Sequence, residues 1–222
     1  MKNCYETYPF SEKNIKVMRP GGVALTDEMI LACGLDESAK VLDVGCGIGT
    51  VVHHLRSKYG YDVMGIDCSP ILIQKGLINV PGLSIKVGNA EDLPYLESTL
   101  DCILMECTLS VFQNPQQVLK EAYRVMQSGS KLVISDVYLK ERSCPSSIKS
   151  SVKTEKEVKQ LIRTQGFKIL KWSEKTPLLH SYIAEMIWNQ SGDQKSGFLS
   201  EFCSLTGVSG LKLGYFSLVA EK

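Results

Sequence analysis

The segment Val41–Thr50 constrains the fold more than any other part of the chain. Its apolar start, Val-Leu-Asp-Val, is typical of a buried strand. Glycines follow at positions 45, 47 and 49, and an amphipathic stretch then predicts a helix from Ile48 to Lys58. A strand that enters a helix through closely spaced glycines brings backbone amides close to a ligand. We therefore expect a ligand-binding turn at the carboxyl end of this first strand.

Short apolar runs alternate with amphipathic segments along most of the chain, and no internal repeat is visible. This alternation predicts an α/β protein whose last strand is antiparallel to its neighbour. The 222 residues suit one domain, 1–222. The predicted strands are 40–45, 61–67, 83–87, 101–106, 131–137, 167–172 and 213–220, and a short helix at 25–33 precedes them. Capping residues predict three further helix starts, at Ser69-Pro70, Asn114-Pro115 and Thr154-x-x-Glu157.

Two acidic residues beside the glycine turn indicate the kind of ligand. A dinucleotide site would need a third glycine where this chain has Thr50, and the Asp43 carboxylate would repel a pyrophosphate. The same carboxylate would pair with an ammonium group. Asp67 ends the next strand, 18 residues after the last glycine, where a carboxylate can accept both hydroxyls of a ribose. A nucleoside that carries a cationic amino-acid group satisfies both acids.

Four segments, in this order, resemble the class I S-adenosylmethionine-dependent methyltransferases. VLDVGCGIGT is similar to the family's first motif, MGIDCSP to its second and VGNAEDLPY to its GDAxxLPF. The segment LDCILMECTLSVFQNPQQVLKEAYRVMQSGSKLVISD resembles the fourth strand, helix and fifth strand of the subgroup that contains quinone-biosynthesis and arsenite methyltransferases. The resemblance is strong over residues 38–137. It implies a Rossmann-like, seven-stranded sheet that is mostly parallel, has an antiparallel last strand and carries helices on both faces. It also implies an enzyme that uses S-adenosyl-L-methionine and releases S-adenosyl-L-homocysteine.

The resemblance also implies roles for individual residues. The glycine turn would hold the methionine part of the cofactor, Asp67 the ribose, and Cys68 or Ser69 would lie beside the adenine. Asn89 replaces the family's usual Asp, which keeps an oxygen toward the adenine but loses the charge. An N-terminal cover, 1–37, would close over the cofactor. Apart from the resemblance, apolar residues at helical spacing predict a helical insertion, 176–210, before the last strand, with a short second helix at 198–205. The predicted cofactor-binding residues are Arg19, Asp43, Gly45, Cys46, Gly47, Gly49, Asp67, Cys68, Ser69, Asn89, Ala90, Glu91 and Glu106.

No pair of side chains stands out as an acid–base couple. A sulfonium methyl group is already activated, so holding donor and acceptor in line supplies most of the rate. A base is needed only where the acceptor must lose a proton. Glu106 and Cys107 end the fourth strand, where ligands of open α/β sheets collect, although a buried structural role explains them equally well. The catalytic candidates are Glu106, Cys107, Tyr8 and Tyr138.

A methyltransferase that acts on a small-molecule acceptor is the first hypothesis for function. A cofactor-binding accessory or regulatory protein without methyl transfer stays open, because no base is evident. An arsenite or thiol-type methyltransferase needs several thiols around one metalloid. An RNA or protein methyltransferase would use the stretch 140–171, which carries nine basic and three acidic residues. The thiols available to a metalloid are those of Cys46, Cys68, Cys107 and Cys144.

Composition narrows the remaining possibilities. Eight cysteines are scattered without a CxxC pair, which favours free thiols over a disulfide framework or a metal site, so we expect no metal. The 25 basic and 24 acidic residues argue against a nucleic-acid partner that binds by broad charge neutralisation. No apolar run approaches the length of a membrane span, and the first ten residues do not form a signal segment. We expect a cytoplasmic monomer or homodimer.

Overall fold

The computed structural model describes residues 19–141, 151–189 and 212–222. Within them, a seven-stranded sheet has the strand order β3-β2-β1-β4-β5-β7-β6. The strands are β1 (Lys40–Val44), β2 (Asp62–Asp67), β3 (Ile85–Val87), β4 (Leu100–Glu106), β5 (Met126–Leu139), β6 (Lys168–Glu174) and β7 (Leu213–Glu221). The helices are α1 (Gly22–Leu31), α2 (Thr50–Tyr59), α3 (Pro70–Asn79), α4 (Pro115–Val125), α5 (Glu155–Thr164) and α6 (Thr176–Asn189).

The first five strands run parallel, and the last strand runs against its neighbours. β1 pairs in parallel with β2 and with β4, β2 pairs with β3, and β4 pairs with β5. β7 lies between β5 and β6 and is antiparallel to both. This confirms the predicted topology. The strand order reverses between β1 and β4, and ligands of open α/β sheets bind at the carboxyl ends of the strands at such a point.

Two apolar clusters cover the two faces of the sheet. Successive residues of β4 alternate between them: Cys102 belongs to one cluster and Ile103 to the other. The first cluster includes Val52 of α2 and residues from α1 and α3. The second includes Val118 of α4 and Ile162 of α5. Helices therefore pack on both faces, as predicted.

Three helices begin where the sequence signals predict. Ser69 caps α3 and Asn114 caps α4, and a proline follows in the first turn of each helix. Thr154 caps α5, where the Thr154 hydroxyl accepts a hydrogen bond from Glu157 N and the Glu157 carboxylate accepts one from Thr154 N at 2.8 Å. This reciprocal pair is the capping box that the sequence predicts.

The main difference from the sequence prediction is the length of β5. The strand spans Met126–Leu139 rather than 131–137. Leu100 of β4 pairs with Met126, and Leu213, the first residue of β7, pairs with Leu139. Partner strands extend β5 in both directions, although its own residues after Met126 are polar and turn-like. Local sequence patterns do not encode such long-range pairing.

The regions before β1 and before β7 are only partly described. α1 begins three residues earlier than predicted, because Gly21 takes a left-handed conformation with φ +80° at its start. The predicted insertion 176–210 begins with α6, and the short helix expected at 198–205 lies outside the described residues. Among the described residues, no helix is both long and apolar enough to cross a membrane.

We predict that Thr154→Ala lowers the free energy of unfolding by about 1 kcal/mol, because it removes the capping hydroxyl of α5. Thr164→Ala is the matched control in the same helix, since its hydroxyl donates only to Leu161 O at the other end. Urea denaturation of both variants provides the measurement. Equal effects of the two substitutions would contradict the assigned role of the cap.

Candidate functional site

The glycine turn, Gly45–Gly49, lies at the carboxyl end of β1. Gly45 N donates a hydrogen bond to Ile66 O of β2 at 2.8 Å. The three glycines of the turn have φ values of +82°, +56° and +78°, a region that other residues rarely adopt. A Cβ on Gly45 would lie only 2.3 Å from Thr108 Cγ2. The turn therefore needs glycine both for its backbone conformation and for the close approach of the segment that follows β4.

Asp67 links the glycine turn to the start of α3. It ends β2 and is buried. One carboxylate oxygen accepts a hydrogen bond from Gly47 N at 2.9 Å, and the other accepts one from Ser69 N at 2.9 Å. Two backbone amides thus orient this carboxylate at the edge of the turn.

A buried ion pair connects the start of α1 with the end of β4. Arg19 Nη2 lies 2.9 Å from Glu106 Oε2, and their side chains are only 5% and 3% exposed. The same nitrogen donates to the hydroxyl of Thr26, whose oxygen is 3.4 Å from both Glu106 carboxylate oxygens. Arg19 Nη1 is buried and has no hydrogen-bond partner among the described residues. A buried guanidinium nitrogen of this kind is available to an acceptor group of a ligand.

Three buried carboxylates surround this one guanidinium at the strand ends. Burial raises the pKa of Asp43 well above its usual range, and the nearby charges of Glu106 and Asp67 raise it further, although Arg19 opposes them. Burial also raises the pKa of Glu106, against the lowering effect of Arg19. Burial alone would lower the pKa of Arg19, but Glu106 raises it overall, so the guanidinium stays charged. The local excess of acidic groups favours a cationic ligand.

Cys107 follows β4 in an unusual conformation. Its φ is +56°, which is uncommon for a residue other than glycine. Its thiol sulfur lies 3.2 Å from the hydroxyl of the fully buried Tyr215, and that hydroxyl donates to Ser135 Oγ at 3.2 Å. Burial raises the pKa of Cys107 to about 12. The raised pKa favours the neutral thiol at physiological pH.

Asn89, Ala90 and Glu91 form a turn after β3. Asn89 Oδ1 accepts a hydrogen bond from Glu91 N at 2.9 Å, and Glu91 Oε1 accepts one from Asn114 N at 3.2 Å. Ala90 packs against the second apolar cluster. These contacts tie the turn to the start of α4, and the adenine contact of the three residues stays a prediction.

The predicted cysteines and Ser69 fall in different environments. Cys46 is buried inside the glycine turn, where burial strongly raises the pKa of its thiol. Cys68 is exposed at the end of β2, and Ser69 caps α3. No group of three or more His, Cys, Asp or Glu side chains within 19–141, 151–189 and 212–222 is arranged to hold a metal ion. Cys144 lies outside these ranges.

The three catalytic candidates within the described residues do not all come together. Glu106 and Cys107 lie side by side at the end of β4, and Cys107 packs against the first apolar cluster. The Tyr138 ring lies in the second cluster on the other face of the sheet, with its centroid 5.6 Å from that of Trp172 in an edge-on contact. Tyr8 lies outside the described residues. The structure thus brings two candidates to the site and places Tyr138 away from them.

The structure places four further residues, which the sequence did not predict, at or beside the site. Thr108 Oγ1 is buried without a hydrogen-bond partner in the described part of the chain. Asp136 of β5 is 1% exposed and accepts hydrogen bonds from Ser110. Of these four, only Asp136 has a recognisable sequence signal. It is an acidic residue near the carboxyl end of a predicted strand, as Asp43 and Asp67 are. Tyr215 and Thr26 reach the site from elements remote in sequence.

A hydrogen-bonded cluster holds α1 against α2. Asp27 lies 2.7 Å from His54 Nε2 and accepts hydrogen bonds from Lys58 Nζ at 2.7 Å and from Tyr59 Oη at 2.9 Å. Burial would raise the pKa of Asp27, but these three bonds lower it overall. The cluster fixes α1 so that Arg19 and Thr26 stay over the strand ends.

Comparison with known proteins agrees with this architecture. Residues 35–182, about two thirds of the chain, match the family model described as "Methyltransferase domain". The chain belongs to the methyltransferase-domain family. Several of the predicted site residues lie within the matched region, including the glycine turn, Asp67, Glu106 and Cys107, whereas Arg19 precedes it.

Members and fold relatives differ in what they are named for. Ajmaline N-methyltransferase of Rauvolfia serpentina is 31% identical in an alignment 198 residues long that covers 82% of this chain and 66% of that protein. Phosphoethanolamine N-methyltransferase 2 of Haemonchus contortus, solved with S-adenosyl-L-methionine, has a TM-score of 0.77 at 17% identity, covering 95% of this chain and 55% of that one. The structure named [4+2]-cyclase SpnF has a TM-score of 0.74 at 21% identity, covering 90% and 80%.

This methyltransferase-family chain matches only part of the length of its curated relatives. The matched segments span between 24% and 66% of the lengths of the curated relatives. The two structural likenesses, at 17% and 21% identity, establish a shared fold. Family membership therefore establishes the architecture. The reaction and the acceptor have to be inferred from the residues of the site.

We predict that Gly45→Ala destabilises the protein more than Gly47→Ala. Both residues have positive φ, so each substitution costs about 1–2 kcal/mol of backbone strain. Only the alanine at position 45 also collides with Thr108, because the space around a Cβ at position 47 is open to 4 Å. Denaturation of both variants in urea measures the difference.

Thr108→Ser provides the control, since it removes the colliding methyl group and keeps the hydroxyl. The double variant with Gly45→Ala should recover part of the lost stability. Strict additivity of the two substitutions would contradict the proposed collision.

Proposed function

We propose that this protein transfers a methyl group from S-adenosyl-L-methionine to a small-molecule acceptor. The observation that carries the proposal is the glycine turn, set between a buried Asp43 and an Asp67 that two backbone amides orient. This arrangement suits a nucleoside with a cationic amino-acid part. The membership of the methyltransferase-domain family supports the same cofactor.

The residues present fit this cofactor in three respects. The open space around the Cα of Gly47 leaves room for a ligand to approach the backbone. Arg19 Nη1, buried and without a partner among the described residues, would donate to the carboxylate of the methionine part. Asp43 would pair with its ammonium group, and Asp67 would accept the ribose hydroxyls.

The charges at the site agree with a ligand of this kind. A pyrophosphate would meet Asp43, Asp67 and Glu106, which are all buried and acidic. A sulfonium and an ammonium group would instead favour the ionised forms of these carboxylates. One guanidinium remains for one ligand carboxylate. The balance of one buried cation and three buried acids thus matches the mixed charges of S-adenosyl-L-methionine.

When bound, the cofactor supplies an activated methyl group. The protein's own part is to bind, orient and exclude water. Glu106 is held by Arg19 and Thr26, which fixes the floor of the site at the end of β4. The neutral thiol of Cys107 offers a hydrogen-bonding group beside it. Because positioning supplies most of the rate, the site needs no strong base for an acceptor that carries a free electron pair.

We further propose that amines are the first class of acceptor to test. A neutral amine nitrogen attacks with its own electron pair, and the raised pKa of Cys107 leaves no thiolate for nucleophilic chemistry. Ajmaline N-methyltransferase and phosphoethanolamine N-methyltransferase, by their names, act on nitrogen. Thiols, phenols and arsenite form the alternative classes.

We propose a cytoplasmic monomer or homodimer without a nucleic-acid partner. Part of the basic stretch that could attract nucleic acid is internally neutralised. Lys140 lies 2.8 Å from Glu174, and Lys159 pairs with Glu155. Light scattering and an RNA-binding assay at low salt test these expectations.

The first test is binding. We expect S-adenosyl-L-methionine and S-adenosyl-L-homocysteine to bind with micromolar-range affinity by calorimetry. Asp67→Ala should reduce the affinity at least about tenfold, because a charged hydrogen-bonding group to the ribose is worth about 1.5–3 kcal/mol. Asp62→Ala is the matched control, since this acid is exposed at the start of the same strand. Absence of binding at millimolar cofactor would sink the proposal.

The second test is transfer. Cofactor labelled in its methyl group is offered together with panels of amines, thiols, phenols and arsenite. Label in any acceptor establishes methyl transfer. A fold relative named as a cyclase shows why binding alone is not enough. Tight cofactor binding without transfer to any panel would favour the accessory role.

A further inference from the structure

The segment that follows β4 is attached to β5 at both of its ends. We call this segment, residues 107–110, the β4 loop. At its start, Cys107 N donates to Ser135 O at 2.6 Å. At its end, Ser110 N and Ser110 Oγ donate to the two carboxylate oxygens of Asp136, each at 2.8 Å. Two consecutive residues of β5 therefore hold the whole loop.

Holding the β4 loop with the buried carboxylate of Asp136 destabilises the folded protein. The residue is 1% exposed, and burial raises its pKa to about 6, although hydrogen bonds from Ser110, Val137 and Leu109 partly oppose this effect. A raised pKa means that ionisation of Asp136 costs stability as the pH rises from about 4 to 6. At neutral pH the ionisation of Asp136 therefore lowers the free energy of unfolding. The ionised carboxylate nevertheless fixes one end of the β4 loop.

The loop is held in a conformation that it would not adopt freely. Cys107 has a φ of +56°, which costs of order 1–3 kcal/mol for a residue with a side chain. Thr108 sits against the glycine turn, with its Cγ2 only 2.3 Å from the position that a Cβ of Gly45 would take. The buried hydroxyl of Thr108 and the thiol of Cys107 are presented by this strained backbone. Such strain persists only where the surroundings determine it, and Asp136 is part of those surroundings.

We propose that Asp136 is a positioning residue for methyl transfer. It acts through the β4 loop, whose residues Cys107 and Thr108 face the reacting groups, and does not itself touch the substrate. This inference rests on the proposed function, because it assigns the loop to the step of transfer rather than to cofactor binding. The glycine turn and Asp67, which would hold the cofactor, are joined to each other and to the start of α3 by hydrogen bonds of their own.

The hydrogen-bond pattern makes Asp136→Asn a sharp test. Asp136 Oδ2 accepts from Ser110 N, and Oδ1 accepts from Val137 N at 2.7 Å as well as from Ser110 Oγ. Each oxygen thus accepts a backbone N–H. An asparagine must place its NH₂ group against one of them, so one amide loses its acceptor in either orientation. The substitution keeps the size of the side chain and loosens one attachment of the loop.

We expect Asp136→Asn to lower kcat by between about 10-fold and 100-fold, since a small misplacement of reacting groups has effects of that size. The dissociation constant for S-adenosyl-L-methionine should stay within about threefold of the unmodified protein. Asp101→Asn is the matched control. Asp101 also accepts a backbone hydrogen bond, from Lys40 N at 2.8 Å, but at the opposite end of β4. The Asp101→Asn variant should be less stable than the unmodified protein but keep its kcat.

Ser110→Ala tests whether the effect passes through the loop. It removes one of the two bonds from Ser110 and should lower kcat less than Asp136→Asn does. In the Asp136→Asn background, its additional effect should be smaller than in the unmodified protein. Full additivity of the two substitutions would overturn the proposed route through Ser110.

The outcomes separate this inference from the proposed function. An unmodified protein that transfers methyl groups, with an Asp136→Asn variant that keeps its kcat, would overturn the inference alone. An unmodified protein that transfers nothing would overturn both. Amide exchange at Ser110 gives a readout that does not depend on activity. It should accelerate in Asp136→Asn and not in Asp101→Asn, and unchanged protection would also overturn the inference.

Discussion

Buried carboxylates at the carboxyl ends of parallel strands are the constraint on which the rest of the site depends. A charged group without water or a partner costs several kcal/mol, so each must be compensated by its surroundings. The surroundings differ: backbone amides reach Asp67, a guanidinium reaches Glu106, and a serine reaches Asp136. Each compensation joins a strand to a neighbouring loop or helix. Among the described residues, a fourth buried carboxylate, Asp43 of β1, has only the nearby charge of Arg19 to oppose the effect of its burial.

The compensation of Glu106 explains why a helix before the sheet lies over the site. Arg19 comes just before α1 and is 87 positions away from Glu106 in the chain. The pair forms only if α1 is placed accurately, and the cluster around Asp27 places it. Removing one partner of a buried ion pair is far more costly than removing an exposed one. The N-terminal part of the described chain is therefore bound to the sheet by electrostatics as well as by apolar packing.

The sequence predicted those features that local patterns encode. Alternating apolar and amphipathic runs yielded seven strands in the right chain order. The glycine spacing identified the turn, and Thr154 with Glu157 identified a helix start. The strand ends were good guides as well, because parallel strands bring their carboxyl ends to one edge. That is why Asp67 and Glu106 could be chosen from the sequence.

What escaped prediction depends on contacts between distant segments. Tyr215 reaches Cys107 because β7 inserts between β5 and β6, and nothing near Tyr215 in the sequence announces it. Tyr138 was chosen because it follows the fifth predicted strand. In the structure β5 continues past that point, so the alternation of a strand turns the Tyr138 ring to the opposite face. Because the strand end was predicted two residues too early, Tyr138 was expected at the site although its ring lies on the other face of the sheet.

The shared fold does not determine the reaction, because fold relatives carry names as different as methyltransferase and cyclase. The glycine turn and Asp67 can serve any protein that binds such a nucleoside. The difference must arise beyond them, where the second reactant lies. In this chain we propose that this region contains the β4 loop, with a left-handed Cys107 and a buried Thr108 hydroxyl, which β5 holds through the buried Asp136. Backbone strain of this kind clusters at binding and catalytic sites, which is the physical ground for assigning the proposed transfer step to this loop.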